Sequence, residues 1–294
     1  MFTSLPSPPG PGRRPIPHRS MAMRIACVQM RSTEDLQGNL AQAAAYIEQA
    51  AGQGAELVVL PEFFNTIFFA QYQDSKYHAL AETDAGPSIS AMREAAQRHG
   101  IAVVATIYEK VEAGLYFDTA MHIDPAGEIV FKYRKVHPAA VHSLEKIYFR
   151  YGTRFDTYKL ADWRVGIGIC YDMGFPETAR CLAVNGAELL LAPYATSRVN
   201  MFQEVLRTRA FENGCFLAAA NKVGREGDWH MGGGSLIVAP DGTVLQSADT
   251  ASNALLVADI DRAHVEQARI AYPSRRDRRP DLYSSLAREV DAAL

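Results

Sequence analysis

Gly54-Ala-Glu-Leu-Val-Val-Leu-Pro61 and Gly186-Ala-Glu-Leu-Leu-Leu-Ala-Pro193 are one phrase written twice, once in each half of the chain. Each opens on a glycine suited to close a helix and runs through apolar residues fit for a strand buried on both faces. Each ends at a proline that cannot donate to a ladder. Two further matches keep the same order. His99-Gly100 precedes an apolar run, as does Asn213-Gly214, and the turn Asp124-Pro125-Ala126-Gly127 is answered by Ala239-Pro240-Asp241-Gly242. Short Gly/Pro matches arise by chance, but three in the same order imply two similar halves.

Outward from that phrase, strands and helices alternate. Arg24–Met30 reads as a strand, Leu40–Ala51 as an Ala-rich amphipathic helix and Glu56–Leu60 as a buried strand. Ser88–His99 reads as a helix and Ile101–Tyr108 as another buried strand. Leu115–Ile123 and Ile129–Lys135 form a hairpin around Asp124–Gly127. Two α/β halves, each with helices on one sheet face, can bury their bare faces against each other. The expected class is therefore α/β, a four-layer α-β-β-α sandwich. A single doubly wound sheet is the alternative with the same element order.

The chain has 294 residues, enough for a sizeable core, and residues 21–294 read as one domain. A net charge of −3 exerts no long-range pull on nucleic acid or anionic lipid. No apolar run approaches the roughly 20 residues needed to cross a bilayer. The expected partner is a small molecule, not nucleic acid or a membrane. Residues 1–20, MFTSLPSPPGPGRRPIPHRS, carry almost nothing to pack and no secretory apolar core, and read as a disordered extension. Cys27, Cys170, Cys181 and Cys215 form no C-x-x-C pair. Apolar sequence surrounds Cys27, Cys181 and Cys215, so free thiols in a reducing, cytoplasmic setting are expected. The histidines show no H-x-H or H-E-x-x-H spacing, and neither metal nor cofactor is indicated.

Chemistry concentrates at three strand ends. In Trp163-Arg-Val-Gly-Ile-Gly-Ile-Cys170-Tyr-Asp-Met-Gly-Phe-Pro176-Glu177 a buried strand runs into Cys170, and Pro176 opens a helix. A cysteine between strand end and helix start feels the helix's positive end, which lowers a thiol pKa. Read alone, Cys170 fits a buried structural thiol equally well. Glu62 follows Pro61 and precedes Phe63-Phe64, a setting poor in water where a carboxylate can serve as general base. Lys135 ends the run Ile129-Val-Phe-Lys-Tyr-Arg-Lys. Singly, Glu62 reads as a half-buried surface acid and Lys135 as a solvated strand end. Together with Cys170 they occupy carboxyl ends of strands, where α/β sheets collect ligands.

The blocks Leu60-Pro61-Glu62, Lys132-Tyr-Arg-Lys135-Val-His137 and Gly166-Ile-Gly-Ile-Cys170-Tyr-Asp-Met-Gly-Phe-Pro176-Glu177 resemble, in order, the three catalytic blocks of the nitrilase superfamily. The resemblance runs from about Met23 to the C-terminus. Supporting matches are Arg209-Ala-Phe-Glu212-Asn-Gly, Gly233-Gly-Ser-Leu-Ile-Val-Ala-Pro240-Asp-Gly and Arg278-Arg-Pro-Asp-Leu-Tyr283.

The resemblance implies a Glu62–Lys135–Cys170 triad, with a further active-site glutamate at Glu145. For Glu145 a solvated pair with Lys146 is the competing reading. In the implied reaction Glu62 deprotonates Cys170, whose sulfur attacks a carbonyl carbon. Lys135 and the Tyr171 backbone N–H hold the oxyanion, and water cleaves the thioester. Tyr171, Met173, Tyr194 and Thr196 are the expected pocket lining. Asp172 is expected to tie down the nucleophile turn, and Arg209 with Glu212 to form an ion pair.

True nitrilases resemble C-W-E at the nucleophile, whereas here Cys170-Tyr171-Asp172 points to amides or N-carbamoyl compounds. Leu144-Glu-Lys-Ile-Tyr-Phe149 resembles the N-carbamoylputrescine and N-carbamoyl amino acid branches. Met173 and Gly174 stand where the latter carries an arginine pair for the substrate carboxylate, and where the former carries Gln-Trp. A plain aliphatic or aromatic amidase is the rival substrate reading. Acyl transfer to another nucleophile, or a silent binding scaffold, is the rival class. Thiol trapping separates the scaffold, since a catalytic Cys170 should outpace Cys181 and Cys215. The resemblance also implies a homo-oligomer, paired across Pro176–Asn185 and Met201–Phe211.

Overall fold

A computed structural model describes residues 22–289. The expectation for residues 1–20 lies outside the described residues. The first half supplies strands β1 (Ala22–Gln29), β2 (Leu57–Val59), β3 (Ala102–Glu112), β4 (Leu115–Ile123) and β5 (Ile129–Arg134). The second supplies β6 (Thr157–Leu160), β7 (Trp163–Ile167), β8 (Leu189–Pro193) and β9 (Phe216–Ala220). After the hairpin β10 (Val223–Glu226) and β11 (Trp229–Gly232) come β12 (Leu236–Val238), β13 (Val244–Ser247) and β14 (Ala254–Asp261).

Two six-stranded sheets result, ordered β14-β1-β2-β3-β4-β5 and β6-β7-β8-β9-β12-β13. The orders superpose strand for strand, down to the sense of each pairing. β1, β2 and β3 are parallel, as are β7, β8 and β9, and antiparallel strands flank both sets. The repeated phrase forms β2 and β8, at corresponding central places. The glycines that mark the repeat, Gly54 and Gly186, Gly100 and Gly214, Gly127 and Gly242, all have positive φ, which favours a residue without Cβ.

Strand periodicity sorts the apolar residues into layers. Ile25, Cys27, Leu57, Val59, Ala102 and Val104 join the core shared with Val165, Ile167, Leu189 and Leu191 of the other sheet. Their alternates Ala26, Val28, Val58 and Val103 face helices α1 (Leu36–Gly52) and α2 (Pro87–His99). On the opposite side, α4 (Pro176–Val184) and α5 (Val199–Asn213) cover the second sheet, and a short helix α3 (Glu145–Tyr148) follows the loop after β5. The four-layer sandwich is the observed fold, and the single doubly wound sheet is not.

Boundaries shift where tertiary pairing outranks local pattern. Helix α1 begins at Leu36, earlier than Leu40, and the strand expected over Glu56–Leu60 shortens to Leu57–Val59. Strand β3 continues past Tyr108 to Glu112 because β4 pairs with it throughout. Glu109, inward on that extension, is compensated by Arg134 at 2.8 Å and Lys132 at 3.3 Å. Lys135 follows β5 instead of ending it.

Candidate active site

Cys170 leaves β7 at the start of a short 3-10 turn, Cys170–Gly174, with φ of +45°. That is the left-handed region, uncommon for a residue with a Cβ. Asp172 holds the turn. Its buried carboxylate accepts Ile169 N–H at 3.0 Å and Tyr133 O–H at 2.8 Å on Oδ2. On Oδ1 it accepts His137 N–H at 2.9 Å and faces the His137 ring Nδ1 at 2.8 Å. Arg209 ties the far end, donating to the carbonyls of Met173 and Gly174, each at 3.1 Å, while pairing with Glu212 at 3.0 Å. Asp172→Ala is expected to destabilise the protein by about 3 kcal/mol or more, since each buried donor left unpaired costs about 1–3 kcal/mol. Urea unfolding measures this, and a change below about 1 kcal/mol would contradict the assignment.

Three carboxylates converge on one ammonium beneath this turn. Lys135 Nζ lies 2.6 Å from Glu62 Oε1, 2.7 Å from Glu145 Oε2 and 3.2 Å from Asp118 Oδ2, with all four side chains buried. Backbone bonds set these positions. Lys135 N–H donates to Asp118 O across the β4–β5 edge, Glu62 N–H to Tyr194 O of the other half, and Gly152 N–H to Lys135 O. A Cβ at Gly152 would sit 2.0 Å from the Arg134 carbonyl oxygen, so only glycine lets the chain pass behind Lys135. Glu145 also accepts the Ala139 N–H at 2.8 Å. Its pairing with Lys135 replaces the solvated pair with Lys146 that the sequence left open. The carboxylate oxygens lie within 4.8 Å of one another, a spacing that could hold a cation. The Lys135 ammonium is that cation.

The charges are interdependent. Burial works against the Lys135 ammonium, but Glu145, Glu62 and Asp118 outweigh it and hold its pKa well above the usual lysine value. Burial, reinforced by Glu62, pushes the Asp118 carboxyl well up, against the opposing pull of Lys135. Burial also raises Glu145, against the opposing pull of Lys135. Glu62 Oε2 has no N–H or hydroxyl donor, leaving lone pairs for a proton from a neighbour.

Cys170 itself departs from the sequence expectation. Burial, then Glu62, pushes its thiol well above the ordinary value, against Lys135 and a backbone hydrogen bond from Ala195. The five-residue turn offers little dipole, and α4 starts only at Pro176, so desolvation wins. Cys170 is 7% exposed, whereas Cys181 lies exposed on α4, not in apolar surroundings. An unselective thiol reagent therefore meets Cys181 first.

A cavity of about 480 Å³ opens onto Cys170 and Glu145. Thr196 and Tyr171 line it as expected, with Phe68, Phe202 and Trp229 as apolar wall. Met173 does not: it is fully buried beside Gly168 and the α4 residue Thr178, in the core. Tyr194 sits in the core against Phe202, centroids 5.1 Å apart, close enough to Cys170 for the sulfur's charge to act on its hydroxyl, yet outside the cavity wall. Sequence reasoning missed Asp118, hidden in the alternation of β4, and the wall residues Phe68, Arg198 and Trp229. Phe68 and Arg198 come from loops and Trp229 opens β11, with no local pattern that ties them to Cys170.

The family described as carbon-nitrogen hydrolase matches residues 24–270. A citrullinase of Francisella tularensis subsp. tularensis is 32% identical, over 91% of this chain and 99% of its own length. An N-carbamoylputrescine amidase of Arabidopsis thaliana is 29% identical, over 89% of this chain and 94% of its own. The amidase of Nesterenkonia sp. AN1, solved as a double mutant with acrylamide, has a TM-score of 0.80 at 29% identity, covering 94% of this chain and 100% of that one. In another structure of that amidase the acetamide moiety of fluoroacetamide is covalently added at the active-site cysteine. The arrangement and the likeness agree: this chain belongs to the carbon–nitrogen hydrolase family, as an enzyme of the nitrilase superfamily.

Proposed function

We propose that this carbon–nitrogen hydrolase acts on a small linear amide or N-carbamoyl amine through a thioester on Cys170. The observation that carries the reading is the buried Glu62–Lys135–Glu145 cluster at the cavity that exposes Cys170. A thiol whose pKa burial holds high must lose its proton during attack, and Glu62 is the neighbouring base. The sulfur bonds to the carbonyl carbon and the C=O electron pair moves to oxygen. Lys135 and the Tyr171 N–H, second in its turn and so without an intrahelical acceptor, stabilise that oxyanion. Glu62 returns the proton to the departing nitrogen. Water then adds to the thioester as Glu62 takes its proton, and the acid and thiol are released, with Glu145 orienting substrate or water. For a carbamoyl substrate the intermediate is a thiocarbamate, whose hydrolysis leads to carbon dioxide.

A largely apolar cavity with no arginine pair at positions 173 and 174 supports both substrate kinds, and the relatives' names span both. An ammonia-release screen of carbamoyl amines, carbamoyl amino acids and simple amides, with Cys170→Ala as blank, decides between them. Carbon dioxide released with ammonia marks carbamoyl substrates. Absence of ammonia above the blank from every compound would overturn the proposal.

Exposed Val184, Met201 and Phe211 on α4 and α5 support self-association across that face. Four free thiols fit a reducing, cytoplasmic compartment. Among the described residues no helix is long and apolar enough to cross a membrane.

A further inference from the structure

Arg198 stands out in the cavity that exposes Cys170. It occupies the N-cap of α5, a 15-residue helix with no acidic residue in its first turn. A helix N-terminus carries a partial positive charge and favours anions, so a guanidinium there is of the wrong sign for the helix. Among the described residues no carboxylate lies within ion-pair distance of it. Its backbone N–H donates to Thr196 Oγ1 at 3.2 Å, which shapes the turn but leaves the side chain uncommitted. Two carboxylates share the wall: Glu145, paired with Lys135 at 2.7 Å, and Asp228, whose backbone N–H donates to Gln71 Oε1 at 2.8 Å and to the Tyr72 hydroxyl at 3.2 Å. Helix and guanidinium therefore add to a positive potential at one side of a largely apolar cavity, and the exposed Arg198 side chain pairs with no carboxylate among the described residues.

We propose that Arg198 determines specificity by binding a carboxylate at the end of the substrate remote from the scissile C–N bond. This rests on the amide or carbamoyl hydrolase reading above and narrows its substrate class to anionic compounds. A guanidinium takes a carboxylate in a two-pronged, charge-assisted contact, and the α5 N-terminus adds to the attraction. The residues just after the nucleophile cannot make that contact, because Met173 is buried in the core and Gly174 has no side chain. Arg198 supplies from the β8–α5 loop the cation missing there.

Two matched series test the proposal. The amides are glutaramate, pentanamide and 5-aminopentanamide; the carbamoyl compounds are N-carbamoyl-β-alanine, propylurea and N-carbamoyl-1,3-diaminopropane. In whichever series turns over, kcat/KM is expected to favour the anion over its neutral counterpart by about tenfold or more, as a charged hydrogen-bonded contact provides. Arg198→Gln should pull that ratio toward one, mainly through KM; Arg198→Lys should restore part of it; Arg198→Glu should favour the cation. Equal turnover of anion and neutral compound by the unaltered enzyme, or an unchanged ratio in Arg198→Gln, overturns the role of Arg198 and leaves the hydrolase reading standing. No ammonia above the Cys170→Ala blank from any of the six overturns both.

Discussion

Cys170→Ala is expected to lower ammonia release by about 10⁴-fold or more, because loss of a nucleophile leaves only binding and oxyanion stabilisation to act on the bond. The fold should tolerate the change. The side chain is small, and the turn that presents it is held by Asp172 and Arg209, not by the sulfur. Circular dichroism and the unfolding midpoint should stay near those of the parent while activity vanishes. Glu62→Gln should cost about 10²–10⁴-fold, since the thiol is held protonated and needs a base as it attacks. The two losses should not add, because base and nucleophile act in one step. A Cys170→Ala enzyme retaining more than about one hundredth of the parent rate would show that another group attacks the carbonyl.

Lys135→Met should damage both stability and catalysis. The ammonium is the one cation amid Glu62, Glu145 and Asp118, and removing one member of a buried charged cluster costs about 3–5 kcal/mol. For a domain of this size that corresponds to a fall in Tm of roughly 6–20 °C. The barrier should rise by about 2.7–4 kcal/mol as well, the usual cost of losing an oxyanion donor.

The pH dependence has a definite sign. Burial already raises the pKa values of Asp118 and Glu145 in the parent, and without Lys135 nothing opposes burial at Glu145 from that side. Carboxyls with raised folded pKa values contribute stability that is complete below the unfolded value, near ~4, and lost as pH rises through the folded one. The variant's deficit should therefore be smallest in acid and grow toward neutrality. A variant that melts like the parent at pH 7 would mean that the cluster does not need its cation.

The fold was legible because repeated local signals carried it. Gly54 and Gly186 need positive φ, Pro61 and Pro193 stop strands, and the apolar runs between them fit strands buried on both faces. The three strand-end residues were legible for a related reason: charge directly after a buried strand is costly unless used. Asp118 gave no such sign. It sits mid-strand in Leu115–Ile123, where alternate positions often face water, and only the opposed sheet makes its face an interior. Met173 misled for the converse reason, since adjacency to Cys170 in sequence does not set which way a side chain leaves a 3-10 turn.

By itself, the sequence pointed to the layered architecture and singled out Glu62, Lys135 and Cys170, with Glu145 added by resemblance, because periodicity, turn glycines and ordered motifs are local properties of a chain. Tertiary structure alone decided the burial of that cluster and the make-up of the cavity wall. Desolvation depends on what covers a group from every side, and the covering atoms, like the wall residues Arg198 and Trp229, come from segments far apart along the chain. The same physics turned the expected activated thiol into a protonated one awaiting its base.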